Sequence, residues 1–154
     1  AAAIRSYQPP PHHMERVAEV GGVVFYNDSK ASNPAAAIAD LSALQQPWVA
    51  IVGGVSKGAR FEELGALLAR RAKGVVLIGE AAPAIAAAMG PAANPQRADT
   101  LEQATELAWS MAEPGDVVIL APACSSFDMF RNYAHRGDVF RQKARQLEQQ
   151  HARG

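Results

Sequence analysis

Four short apolar runs recur along this chain without alternating with polar residues: Gly22-Val23-Val24-Phe25-Tyr26, Trp48-Val49-Ala50-Ile51-Val52, Val75-Val76-Leu77-Ile78 and Val117-Val118-Ile119-Leu120. A strand with one wet face alternates in polarity, whereas a strand covered on both faces does not. Each run is also far shorter than the ~20 apolar residues of a membrane helix, so none reads as a span. The stretches between the runs carry helical periodicity and recognisable starts. Asn33 is placed to cap a helix with Pro34 at its first position, leading into residues 35–44. Thr100-Leu101-Glu102-Gln103 has capping-box spacing, and Leu101, Ala104, Leu107, Ala108 and Met111 then repeat on one face. Residues 61–72 and 137–150 give two further helices, and 83–89 a shorter one.

Strands and helices therefore alternate, with short connections that fit right-handed crossovers. The expected fold is α/β: a single Rossmann-like domain, doubly wound, with a mostly parallel sheet and helices on both faces. A length of 154 residues suffices for one such core. No G-x-G-x-x-G opens a helix, so a dinucleotide is not the expected ligand. Fifteen basic residues balance fifteen acidic ones without a basic run, which argues against nucleic acid as a partner. The first seven residues have no charged start followed by an apolar segment, so they do not read as a secretory signal. The single cysteine, Cys124, excludes an internal disulfide and fits a reducing cytoplasm; beside no apparent base, it reads as a small buried residue. Residues 1–10, running into Pro9-Pro10-Pro11, read as a linker or truncation scar, with the domain at 11–154.

Open α/β sheets bind ligands beyond the carboxyl ends of their strands, and the polar residues of this chain gather there. Asp28-Ser29-Lys30-Ala31-Ser32-Asn33 follows the first run, Gly53-Gly54-Val55-Ser56-Lys57-Gly58 the second, and Ala121-Pro122-Ala123-Cys124-Ser125-Ser126-Phe127-Asp128 the last. In a parallel sheet these loops share one edge, so Lys30, Lys57, Ser32 and Ser126 can converge. Two ammoniums with hydroxyls and helix starts suit an anion, and a dicarboxylate such as glutamate fits the charge count. Each residue also has a plainer reading: solvated lysines, turn glycines, and Ser126 as the cap of the last helix. His135 with Arg136, and His151, read as surface residues. No G-x-S-x-G elbow is present, which disfavours a serine hydrolase. Read from the residues alone, the chain is an anion-binding α/β domain.

The same segments, in the same order, resemble the C-terminal domain of Mur ligases, the ATP-dependent amino-acid-adding enzymes of peptidoglycan synthesis. Pro11-His12-His13-Met14-Glu15 is similar to that family's Pro-His-Arg-x-Glu, and 27–33 to its Asn-Asp-Ser-Lys-Ala-Thr-Asn. Gly53-Gly54-Val55-Ser56-Lys57 resembles its Gly-Gly-x-x-Lys loop. Residues 122–130, with Asn132-Tyr133 and His135-Arg136-Gly137, resemble its last motif. Within the family, the likeness points to the branch that adds D-glutamate to UDP-N-acetylmuramoyl-L-alanine through an acyl phosphate. The resemblance implies a D-glutamate pocket of Lys30, Ser32, Lys57, Ser126, Phe127 and Tyr133, and nucleotide contacts from His12 and Asp28. Phe127 would act mainly through its backbone N–H and Tyr133 as an apolar wall. ATP and Mg2+ would be held mainly by ATP-binding central and UDP-binding N-terminal domains not found in these 154 residues, because no G-x-x-x-x-G-K-[ST] occurs. A cytoplasmic, monomeric enzyme with no metal site in this segment, which alone would not catalyse, is the expectation. Alternatives are another Mur or folylpolyglutamate-type ligase domain, or a stand-alone anion-binding module. Two departures stand out: His13 where the family has arginine, and Ser32 where threonine is commoner.

Overall fold

The computed structural model describes residues 10–154; most of the expected linker, residues 1–9, lies outside them. In chain order the elements are β1 (Glu15–Val20), β2 (Val23–Asn27), α1 (Pro34–Ser42), β3 (Trp48–Gly53), α2 (Glu62–Arg71) and β4 (Gly74–Ile78). There follow α3 (Ala82–Met89), β5 (Gln96–Arg97), α4 (Leu101–Ser110), β6 (Val117–Leu120) and α5 (Tyr133–Arg153). They build a six-stranded sheet in the order β1-β2-β6-β3-β4-β5. All neighbours run parallel except β1, which pairs antiparallel with β2.

The period of two along the central strands explains why those runs do not alternate in polarity. Trp48, Ala50 and Val52 of β3 pack with Ala37 and Leu41 of α1, Leu64 and Leu68 of α2 and Ile85 of α3. Val49 and Ile51 point the other way, toward Leu101, Ala104 and Ala108 of α4 and Phe140, Ala144 and Leu147 of α5. Both faces of the sheet are therefore dry, as the doubly wound reading requires. Asn33 caps α1 by accepting the Ala36 N–H at 2.9 Å, and Thr100 caps α4 by accepting the Gln103 N–H at 3.1 Å.

Three elements differ from expectation. β1, absent from the expected strands, forms a hairpin with β2 across Gly21-Gly22, so the sheet gains an antiparallel edge. β5 is only two residues long and its sequence, Gln96-Arg97, carries no apolar signal. The last helix starts at Tyr133, four residues before the expected Gly137, because Asn132 accepts the His135 N–H at 2.8 Å. Gly137 sits inside that helix for another reason: a Cβ there would run into the His12 ring and the Asn27 amide. The helix thus passes against the β2 loop, at the edge where the polar residues gather.

Candidate functional site

β6 lies between β2 and β3, so the chain leaves these three neighbours in different directions, and their carboxyl ends form the switch point of the sheet. Backbone hydrogen bonds lace the three loops together there. The Asp28 N–H donates to Leu120 O at 2.9 Å, the Ala123 N–H to Ala31 O at 2.9 Å, and the Gly53 N–H to Pro122 O at 2.9 Å. Val55 and Ser125 exchange two bonds at 2.9 and 3.0 Å, a short antiparallel bridge between loops. Gly54, at φ 137°, permits it: a Cβ there would strike the Ser125 carbonyl. Ligand-facing side chains on these loops therefore hang from a fixed frame.

Arg136 completes that frame, and this corrects its reading as a surface residue. The guanidinium of this α5 residue is only 1% exposed. Its Nε donates to Ser29 Oγ at 2.8 Å, Nη1 to Cys124 O at 2.9 Å, and Nη2 to Ser29 O at 2.6 Å and Ser32 Oγ at 3.3 Å. Burial pulls its pKa down to about 10, which still leaves it charged at neutral pH. One cation, with no carboxylate bonded to it among the described residues, thus joins the β2 loop, the β6 loop and α5. Ser29, fully buried, adds a bond from its Oγ to Tyr133 O at 2.7 Å. Neither residue was singled out from its type; an arginine beside a helix start carries no sign of burial in the sequence.

On this frame Lys30 and Lys57 stand exposed. Among the described residues neither forms an ion pair. Lys57 adopts φ 48° and holds its ammonium 5.2 Å from the centre of the Phe127 ring, a cation–π contact across two loops. Phe127 is 65% exposed, and its N–H reaches only Ser125 Oγ at 3.5 Å, leaving that donor all but free. Ser126 is buried, and its carbonyl accepts the Met129 and Phe130 N–H groups at 3.2 and 2.9 Å. It does not cap the last helix; Asn132 does. Ser32 is half-buried at the end of the arginine network, and Tyr133, 40% exposed, lies edge-on to His12 with ring centres 5.9 Å apart. The structure therefore joins Lys57 to Phe127 directly, and Ser32 and Tyr133 through Arg136 and Ser29. The face they make is open.

His12 and Asp28, the two residues expected at the nucleotide, are buried in this structure. Asn27 accepts the Ser29 N–H at 3.1 Å, so its amide nitrogen is the donor toward His12 Nδ1, 2.9 Å away, and toward Glu15 Oε1 at 3.0 Å. His12 is thereby the Nε2–H tautomer, and burial, with help from the Arg141 charge, lowers its pKa. Asp28 is fully buried: its Oδ1 accepts the Met14 N–H at 2.9 Å, and no donor among the described residues reaches Oδ2, on the side of the Asp40 carboxylate. Burial first, then the carboxylate of Asp40, pushes its pKa up to about 9. His13 stays exposed, with Nε2 3.8 Å from Asp40 Oδ2. Cys124 is buried and its thiol is pushed up to about 12 by burial, an inert group.

A sequence profile of the Mur ligase glutamate ligase domain matches residues 12–124, from the turn before β1 into the β6 loop. This chain belongs to the Mur ligase family. The UDP-N-acetylmuramoylalanine–D-glutamate ligase of Burkholderia thailandensis is 49% identical over 140 residues, which cover 90% of this chain and 28% of that enzyme. The enzyme of the same name from Burkholderia mallei matches to the same extent. The chain thus spans little more than a quarter of the curated Mur ligases it matches. The same fold recurs in the MurF ligase of Thermotoga maritima in complex with ADP, with TM-score 0.59 and 21% identity over 94% of this chain and 33% of that one. It recurs too in the bifunctional folylpolyglutamate synthase/dihydrofolate synthase of Yersinia pestis complexed with AMPPNP and a Mn ion, with TM-score 0.61 and 23% identity over 85% of this chain and 30% of the other. Among the described residues of this Mur ligase domain, no helix is long and apolar enough to cross a membrane.

Proposed function

We propose that this domain recruits and orients D-glutamate within an ATP-dependent ligase that extends UDP-N-acetylmuramoyl-L-alanine in the cytoplasm. The observation that carries the reading is the two ammoniums of Lys30 and Lys57, which form no ion pair among the described residues, on loops locked together at the sheet's switch point. A glutamate brings two carboxylates, and each ammonium can neutralise one while the Ser32 hydroxyl, Ser126 and the Phe127 N–H fix its angle. Tyr133 supplies the wall. Held at both carboxylates, the amine stays free to attack, which is how binding energy becomes reaction rate.

The reaction we assign to the whole enzyme has two steps. The substrate carboxylate takes the γ-phosphoryl group of ATP and releases ADP; the glutamate amine then attacks the acyl carbon, loses a proton and expels phosphate. ATP phosphates and magnesium fall to the remainder of the enzyme, since no P-loop sequence occurs in this chain. His12 and Asp28, buried as they are, would serve the nucleotide by shaping the turn at residues 10–14 rather than by touching a ribose in this conformation. The open face requires closure against another domain to exclude water. The reading is tested in the full-length enzyme by replacing Lys57 with alanine and following ADP release against D-glutamate concentration. A large rise in KM for glutamate with KM for ATP little changed supports it; unchanged glutamate dependence overturns it.

A further inference from the structure

The turn that carries Ser126 and Phe127 is pinned before them by the bridge between Ser125 and Val55. Asp128 pins it after them. Its Oδ2 accepts the Glu80 N–H at 3.1 Å, reaching from the β6 loop to the loop after β4. Helix α3, which begins at Ala82, has Ala81 at its cap position and no side-chain cap of its own. A carboxylate lent by another loop thus lies beside that uncapped amino end, where the helix dipole favours an anion. Gly79 makes room for it: at φ 74°, a Cβ there would stand 2.6 Å from Asp128 Oδ2 and 3.0 Å from the Gly54 backbone. Next along, the Ala81 N–H donates to Gly54 O at 2.8 Å, and Gly54 leads into the Val55–Ser125 bridge. The links close a ring that runs from Asp128 to Glu80 and Ala81, on to Gly54 and Val55, and back through Ser125. Within that ring only the link from Asp128 is made by a side chain. Ser126 and Phe127 lie on its β6 side, and Lys57 leaves its β3 side just past Val55.

We propose that Asp128 is a positioning residue for the amino-acid substrate. By anchoring the β6 loop to the loop after β4, it sets the direction in which the Phe127 N–H and Ser126 meet the carboxylate that Lys57 neutralises. The inference rests on the glutamate reading above. A carboxylate loose in this face would repel a dicarboxylate; bonded to an amide at a helix start, it is answered and serves as a tether. The tether needs an oxygen acceptor at this position, which asparagine also supplies.

In the full-length enzyme, Asp128→Ala and Asp128→Asn are compared with Lys57→Ala by ADP release against D-glutamate and against ATP. Asp128→Ala is expected to raise KM for glutamate about ten-fold, the scale of one charge-assisted hydrogen bond, with KM for ATP within about two-fold of the parent. Asp128→Asn restores KM for glutamate to within about three-fold, and both variants melt cooperatively. Equal loss of glutamate and ATP use in Asp128→Ala marks a merely structural residue and overturns the proposal. So does an asparagine variant no better than alanine. An unchanged glutamate KM in Asp128→Ala, beside a raised one in Lys57→Ala, overturns this inference alone. An unchanged value in both overturns the glutamate reading beneath it.

Discussion

At the amino-terminal end of the sheet, Lys73 bonds Glu113 at 2.7 Å and also bonds Asp116, while Asp116 accepts the Glu113 N–H at 2.7 Å. At the carboxyl-terminal end, Lys30 and Lys57 have no carboxylate partner among the described residues, Arg136 is buried among carbonyls and hydroxyls, and Asp28 is buried beside another acid. The two ends hold similar residue types. At the first, burial opposes ionisation of Asp116, but the bonds from Lys73 and Glu113 prevail and hold its pKa below the usual range. Lys73, bonded to both acids, is held above its own. Each charge there is answered inside the domain. At the second the backbone is equally well bonded, but the cationic side chains are left over, while Asp28 keeps its proton at neutral pH. Charges held rigid and unanswered are poor for stability alone and useful to a ligand, which supports placing the site at that end.

The contrast breaks most visibly at Arg136. Arg136→Ala leaves two buried carbonyls and two hydroxyls without their donor and is expected to cost about 3–5 kcal/mol in urea unfolding. Lys30→Ala is the converse. In the full-length enzyme it should remove ~2–4 kcal/mol of transition-state binding, seen as a fall in kcat/KM for glutamate, with folding stability within ~0.5 kcal/mol of the parent. The pH dependence separates the ends further. Asp28 binds its proton more tightly folded than unfolded, so its stabilisation is complete below its ordinary value of 3.8 and is lost as pH rises toward about 9. Asp116 does the reverse, with stabilisation present above its ordinary value and lost as pH falls through its lowered one. Melting curves across pH should show Asp28→Asn removing the alkaline decline and leaving the acid limb intact. The smallest effect on the reaction belongs to Lys73→Met, which removes the counter-charge of the buried Asp116 and with it that residue's part of the acid limb, without influence on glutamate use.

The sheet was legible because its central strands are buried on both faces, a condition that writes itself into the sequence as unbroken apolar runs. The caps of α1 and α4 were legible for a similarly local reason: Asn33 and Thr100 bond an N–H three residues on. β1 was not, because Glu15 to Val20 mixes charge with apolar residues and owes its strand form to pairing with β2. At the site, the loops and their lysines could be read from strand ends, and the frame beneath them could not. Arg136 and Ser29 meet 107 residues apart. Asp28 illustrates the same limit from the other side: its motif suggests a ligand-facing acid, and its burial against α1 and the turn before β1 is visible only in the fold.

The central claim is that the unanswered charges at the carboxyl end are a glutamate site, and an amide NMR titration of this chain with D-glutamate, against L-glutamate as control, meets it most directly. The account predicts weak shifts confined to Lys30, Ser32, Lys57, Ser126 and Phe127, larger for the D isomer, with Lys73 and Asp116 silent. Shifts that spare those five residues, or that fall equally at the amino-terminal end, would contradict it.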